Sequence, residues 1–156
     1  MHHASCITEA TLTEIGRYIG FQEVLEVARF KGFNPIVKTL DDTVQEEFKD
    51  TPKDKVKVMD AGPGTGLVGV ELHKFGFTTI DALDISPGML NEAKKKNVYK
   101  KSDLCCWGQQ IPEIKTGEND VLICVGVFAI THVLHVALIE IMRMVKPGKK
   151  FQRNSI

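Results

Sequence analysis

The sequence predicts an α/β fold: a doubly wound, mostly parallel sheet with helices on both faces, preceded by N-terminal helices. Three observations carry this. From about residue 56 onward, short apolar runs of strand character alternate with segments of helical period. The first run ends in the glycine cluster Gly62-Pro63-Gly64-Thr65-Gly66, where a strand would feed a helix. From Val56 to Asp84, first run to second, is about 30 residues, the size of one strand–helix–strand unit with a right-handed crossover.

The elements follow in order. Thr11 to Phe30 is helical by its apolar spacing (Leu12, Ile15, Ile19, Val24, Leu25, Ala28), interrupted by Gly16 and Gly20. Asn34-Pro35 reads as a helix start, Asn as cap and Pro at the first helical position. Ile36, Val37, Leu40, Val44 and Phe48 then share one face, and Asp50-Thr51-Pro52 ends the helix. Val56 to Ala61 is the first strand, Leu67 to Phe75 a helix with Gly76 at its C-terminal cap, and Thr78 to Ile85 the second strand. Ser86-Pro87 opens the next helix, through Met89, Leu90 and Ala93 to the lysines at 94–96. Val98 to Leu104 is a weaker third strand, and Cys105 to Asn119 a loop. Val121 to Phe128 is the fourth strand, Thr131 to Val145 its helix, and Pro147-Gly148 turns toward a strand starting near Lys149. The predicted organisation is a helical cap or lid over residues 1–52 and a core over 53–156.

Composition sets limits on function. The chain has 156 residues, 20 basic and 20 acidic, and 43% hydrophobic residues, which fits one globular domain. Zero net charge argues against a nucleic-acid-binding domain, which would show clustered Lys/Arg and a high pI. The four cysteines, Cys6, Cys105, Cys106 and Cys124, have no framework spacing and read as free thiols in a reducing, cytoplasmic setting. No charged-then-apolar leader opens the sequence. Val121 to Ile139 lacks Asp, Glu, Lys and Arg over a length that could span a membrane. A buried strand feeding a buried helix gives the same hydropathy, and that reading fits the alternation better.

The glycine loop lies where open parallel sheets bind ligands, beyond the carboxyl ends of the strands. Gly64-Thr65-Gly66-Leu67-Val68-Gly69 formally matches a dinucleotide fingerprint, with Asp84 about 20 residues on, where a ribose ligand is expected. Two neighbours disfavour a dinucleotide. Asp60, two residues before Gly62, would repel a pyrophosphate, and Pro63 interrupts the tight turn. A carboxylate there suits a ligand carrying an amine and a sulfonium, which favours S-adenosylmethionine over a nicotinamide cofactor.

VMDAGPGTGLVG, IDALDISPGMLNEAKKK and MVKPGKK, in this order and spacing, resemble the class I S-adenosylmethionine-dependent methyltransferases over about residues 25 to 150. The resemblance implies a Rossmann-like fold and a methyltransferase. It implies a methionine-side loop of Asp60, Gly62, Gly64 and Gly66, with Pro63 inside it. Asp84 would accept the ribose hydroxyls, Ile85 and Met89 would lie against the adenine, and Asp103 with Leu104 would sit at the adenine amino group. Val125, within Cys124-Val125-Gly126-Val127, would line the cofactor and face the substrate.

No catalytic residue and no metal site emerges. His132 and His135, three apart on a helix, lack a third metal ligand, and His132 is a candidate base only by its position after the fourth strand. CVGVFAITHV carries neither the Pro-Pro-aromatic tetrapeptide nor the Pro-Cys nucleophile of nucleic-acid-modifying relatives, so a small-molecule or protein acceptor is expected. A complete class I fold has seven strands. This chain reaches only about strand five in an order 3-2-1-4-5, which leaves a truncated, catalytically silent binding module as the alternative. Asp81, a charge within the second strand, has no explanation from sequence.

Overall fold

The computed structural model describes residues 33–106, 110–125 and 134–147. The expected helices over Thr11–Phe30, His132, and the strand near Lys149 lie outside these residues.

The described residues hold four helices and four strands, with one helix ahead of the first strand. Helix α1 spans Asn34–Glu47, followed by a 3-10 turn at Lys53–Lys55. Strand β1 is Val58–Ala61, α2 Leu67–Lys74, β2 Ile80–Asp84, α3 Pro87–Lys94, β3 Lys101–Leu104, β4 Val121–Ile123 and α4 Leu134–Met144. The strands form one parallel sheet in the order β3-β2-β1-β4. This is the doubly wound α/β fold expected, with the first strand central. The expected order 3-2-1-4 holds among the described residues, and each strand is shorter than its apolar run.

Strands β1, β2 and β4 are buried at every position because helices cover both faces, which is why their sequences read as continuous apolar runs rather than alternating ones. The two faces carry two core clusters. Val58, Ile80, Val121 and Ile123 pack with Val37, Leu40 and Val44 of α1 and Val68 and Leu72 of α2. Met59, Ala61, Leu83 and Leu122 pack with Ile141 and Met144 of α4. Side chains alternate across a strand, so Asp60 shares the α1/α2 face with Val58.

Local chemistry explains the helix ends. Ser86 caps α3 by accepting the Met89 N–H at 3.3 Å, with Pro87 opening the helix as expected. Gly76, at φ +97°, takes the left-handed position just past α2. At α1 the expectation is corrected. Phe33 occupies the capping position without a side-chain bond, and Asn34 is the first helical residue. Its amide instead donates to Glu71 Oε1 at 3.1 Å, tying α1 to α2. The helix also ends at Glu47, before the Asp50-Thr51-Pro52 stop.

Asp81 acquires its explanation here. It is buried, and its Oδ2 lies 3.3 Å from Lys57 Nζ, which also pairs with Glu118. Burial pulls the Lys57 ammonium down, but Glu118 and Asp81 outweigh it and hold it above its ordinary value. Arg143 of α4 makes a second tie. Its guanidinium donates to Glu140, to Thr116 Oγ1 and to the carbonyls of Ile111 and Ile114, fixing residues 111–116 against the helix.

No helix among the described residues is long and apolar enough to cross a membrane. The apolar segment from Val121 is a three-residue buried strand followed, from Leu134, by a separate helix. Cys105 and Cys124 are buried thiols, as expected. Cys106 departs from the expectation: it is disulfide-bonded. Adjacent residues of an extended chain point to opposite sides, so burying Cys105 turns Cys106 toward the half-exposed surface where pairing is accessible.

Candidate cofactor site

The carboxyl ends of β1 and β2 lie side by side in parallel register, Asp60 opposite Ala82 and Ala61 opposite Leu83. The chain leaving β1 turns through Gly62, Gly64 and Gly66, all at positive φ (+79°, +55° and +85°), into α2. Gly66 is the N-terminal cap of α2, and a Cβ there would come within 3.0 Å of the Ala93 Cα, so the close approach of α3 requires glycine. Gly64 differs: a Cβ would meet nothing within 4 Å, so the loop faces open space at this position. Pro63 is buried, and its carbonyl accepts the Gly66 N–H at 2.9 Å, closing the loop into a turn.

Two carboxylates flank this loop. Asp84, at the end of β2, accepts the Gly64 N–H on Oδ2 at 3.2 Å and the Ser86 N–H on Oδ1 at 3.0 Å. It is 8% exposed and thereby fixed in orientation. Asp60 is 1% exposed, and its Oδ2 accepts the Tyr99 hydroxyl at 2.8 Å. Its Oδ1 has no hydrogen-bond partner among the described residues. Burial pushes the Asp60 carboxyl up to about 7, against the Tyr99 hydrogen bond that lowers it, with the Asp84 charge adding to the rise. A buried carboxylate oxygen left unsatisfied is costly. A cationic donor reaching that oxygen would relieve the cost.

The remaining residues surround this pair unevenly. Ile85 is half-buried against the α4-side cluster, and Met89 is half-buried in the first turn of α3. Asp103 pairs in register with Leu83, which brings Leu104 opposite Asp84 on the edge strand. Asp103 is half-exposed and Leu104 is 58% exposed, an apolar side chain at the open end of the sheet. Val125 follows β4 on the far side of β1 and packs against the α1/α2 cluster. The structure thus joins Asp60, Gly62, Pro63, Gly64, Gly66 and Asp84 into one bonded unit, with Ile85, Met89, Asp103 and Leu104 on its β2/β3 flank and Val125 on its β4 flank.

Three contributors escaped sequence reasoning. Tyr99 stands alone in the lysine-rich stretch 94–101, with no periodicity to mark it. Gly69 was visible only as the last glycine of a formal fingerprint, yet a Cβ there would lie 2.2 Å from the Tyr99 oxygen. Cys105 donates its backbone N–H to the Asp84 carbonyl at 2.8 Å, and burial, aided by the Asp84 charge, pushes its thiol well above the usual range. Among the described residues no cluster of His, Cys, Asp and Glu is arranged to hold a metal ion.

The residues present fit the methionine and ribose ends of S-adenosylmethionine. An ammonium would satisfy the Asp60 oxygen that lacks a partner among the described residues, Gly64 faces open space, and the oriented Asp84 carboxylate suits vicinal hydroxyls.

Comparison with known proteins bears on the family and the fold. Residues 59–152 match the methyltransferase domain family. Human methyltransferase-like protein 27 is 34% identical over 97 residues, covering 62% of this chain and 39% of that protein. The ubiquinone/menaquinone biosynthesis C-methyltransferase of Zymomonas mobilis is 30% identical over 104 residues, covering 64% of this chain and 42% of that protein. The chain therefore spans about two fifths of the length of these curated relatives. An amino pentose methyltransferase from Micromonospora echinaspora, solved with S-adenosylmethionine bound, superposes with a TM-score of 0.64 at 18% identity, over 86% of this chain and 55% of that one. An S-adenosylmethionine-dependent methyltransferase from Mesorhizobium loti gives 0.52 at 16% identity, over 65% and 47%.

Proposed function

This chain belongs to the methyltransferase domain family of class I S-adenosylmethionine-dependent methyltransferases, and from that premise we propose that it binds S-adenosylmethionine beside the β1 loop and directs methyl transfer to a small-molecule or protein acceptor. The observation that carries the reading is the placement of two carboxylates at the carboxyl ends of neighbouring strands β1 and β2: buried Asp60, with one oxygen lacking a partner among the described residues, and Asp84, pre-oriented by the Gly64 and Ser86 N–H groups.

Each residue has a defined task. Asp60 accepts from the cofactor's amine, and Gly62, Pro63 and Gly64 shape the approach to it. Asp84 accepts from the ribose hydroxyls, while Ile85 and Met89 supply apolar contact to the adenine, with Asp103 and Leu104 at its edge. Val125 lines the β4 side, where an acceptor would approach. When bound, the cofactor supplies an activated methyl on a sulfonium, so the protein's contribution is alignment of an in-line nucleophile and exclusion of water. Such a methyl is already activated, so alignment can carry much of the catalysis, with the acceptor's proton passing to solvent or to a base on the acceptor side.

Neutral charge and the lack of a nucleic-acid-modifying motif after β4 favour a non-nucleic acceptor. The test is isothermal titration with S-adenosylmethionine, S-adenosylhomocysteine and NADH, followed by a methyl-transfer screen against metabolites and peptides. Micromolar binding of both adenosyl ligands and none of NADH supports the reading. Binding without turnover on any acceptor points to a silent binding module, and no binding by folded protein refutes the proposal.

A further inference from the structure

We propose that Tyr99 is a positioning residue for recognition of the cofactor's amine: its hydroxyl holds one oxygen of Asp60 so that the other is presented as an acceptor at the base of the glycine loop. This rests on the cofactor reading above and adds a residue from outside the loop motif.

The geometry is specific. Tyr99 lies in the link between α3 and β3, and its ring packs against the α1/α2 cluster, the face to which Asp60 belongs by strand alternation. Its hydroxyl donates to Asp60 Oδ2 at 2.8 Å, while Asp60 Oδ1 has no partner among the described residues. The hydroxyl reaches that position only because residue 69 is glycine: a Cβ there would lie 2.2 Å from the tyrosine oxygen and 2.3 Å from the ring carbon bearing it. A phenylalanine ring would fill the same core space, so packing alone does not need the hydroxyl. The hydroxyl serves Asp60. Without it, a fully buried carboxylate would have no donor on either oxygen and would hold its proton, losing its capacity to accept from an ammonium. The titratable groups acting on Asp60 among the described residues are Tyr99 itself and, from β2, Asp84, whose negative charge also favours the protonated form; α2 offers only glycine backbone at the contact.

The experiment compares wild type and Tyr99→Phe in the full chain by titration calorimetry at pH 6, 7 and 8. S-adenosylhomocysteine is the ligand with the amine, and 5′-methylthioadenosine is the same nucleoside thioether without the amino-acid end. Taking the ratio of the two proteins at each pH cancels protonation of the ligand. Tyr99→Phe is expected to weaken S-adenosylhomocysteine about tenfold at pH 6, corresponding to roughly one unit in the Asp60 pKa, with the loss shrinking toward pH 8. It should leave 5′-methylthioadenosine within about twofold. In an Asp60→Asn background, Tyr99→Phe should cause no further loss for S-adenosylhomocysteine. Equal weakening of both ligands, a loss independent of pH, or an undiminished effect in the Asp60→Asn background would each overturn the positioning role while leaving the cofactor site standing. Wild-type protein that binds neither ligand would overturn the cofactor reading, and the role of Tyr99 with it.

Discussion

Gly64 donates its backbone N–H to Asp84 Oδ2 at 3.2 Å, so the loop leaving β1 and the end of β2 form one hydrogen-bonded unit. Because Ser86 N–H occupies the other oxygen, Asp84 is oriented before any ligand arrives. Binding therefore needs little reordering of this side chain, which favours affinity.

Asp84→Ala should weaken S-adenosylmethionine about tenfold to a hundredfold, the loss of charge-assisted hydrogen bonds worth roughly 1.5–3 kcal/mol. Calorimetry on the folded variant reads this directly. An unchanged dissociation constant would remove Asp84 from the ribose role.

Gly69→Ala should destabilise the protein by about 1–3 kcal/mol, because the new methyl collides with the Tyr99 hydroxyl in a packed core. Gly64→Ala meets no neighbouring atom, and its cost is the backbone strain of φ +55°, roughly 1–2 kcal/mol. Urea unfolding midpoints measure both. The two should part on ligand binding, with Gly64→Ala obstructing the open space and Gly69→Ala acting through Tyr99.

Asp60 gives stability a pH dependence whose sign is set by burial. Its folded value of about 7 lies above its ordinary value, so the folded state holds a proton that the unfolded chain releases. Stability accordingly falls as pH rises from about 4 through about 7 and stays lower above that. Asp60→Asn removes this contribution and should be more stable than wild type at pH 8, by roughly 1–3 kcal/mol, with the gap closing by pH 4. Thermal melts across that range test it; a gap of equal size at pH 4 and pH 8 would contradict the assignment. The same variant should lose affinity for S-adenosylmethionine, a trade of stability against function.

Lys57→Met should cost about 1–3 kcal/mol by leaving the buried Asp81 without its cation. The site is at the opposite, amino end of the sheet, so ligand affinity should be unaltered once folding is complete. Chemical denaturation and calorimetry on one sample separate the two effects.

The sequence made the fold legible because its strongest signals are local. The strand–glycine–helix order around Gly62–Gly66, the Ser86-Pro87 cap and the apolar runs of β1, β2 and β4 each depend on neighbouring residues, and each was found within a few positions. Asp60 and Asp84 were legible for the same reason, lying at fixed offsets from the glycines. Contacts between distant positions were not. Lys57 reaches Asp81 across two strands, Tyr99 reaches Asp60 from 39 residues away, and Asn34 leaves its capping role for Glu71 of another helix. None of these leaves a periodic trace, because a single polar side chain obeys whichever partner the tertiary fold delivers. Cys106 was misread by the same logic, since spacing carries no information on which thiols face outward.

Helix α1 sets a boundary for dissecting this protein. Its Val37, Leu40 and Val44 are part of the cluster beneath Asp60's face, and its buried Asp41 is neutralised by Lys53 at the entrance to the sheet. A fragment begun at the 3-10 turn would expose that apolar floor to water and strip the ion pair from Lys53. Any shortened version for binding studies, fusion or crystallisation should therefore begin upstream of Phe33, and a tag or linker placed between Glu47 and Lys53 would strain the short connection between that helix and the sheet it helps to cover.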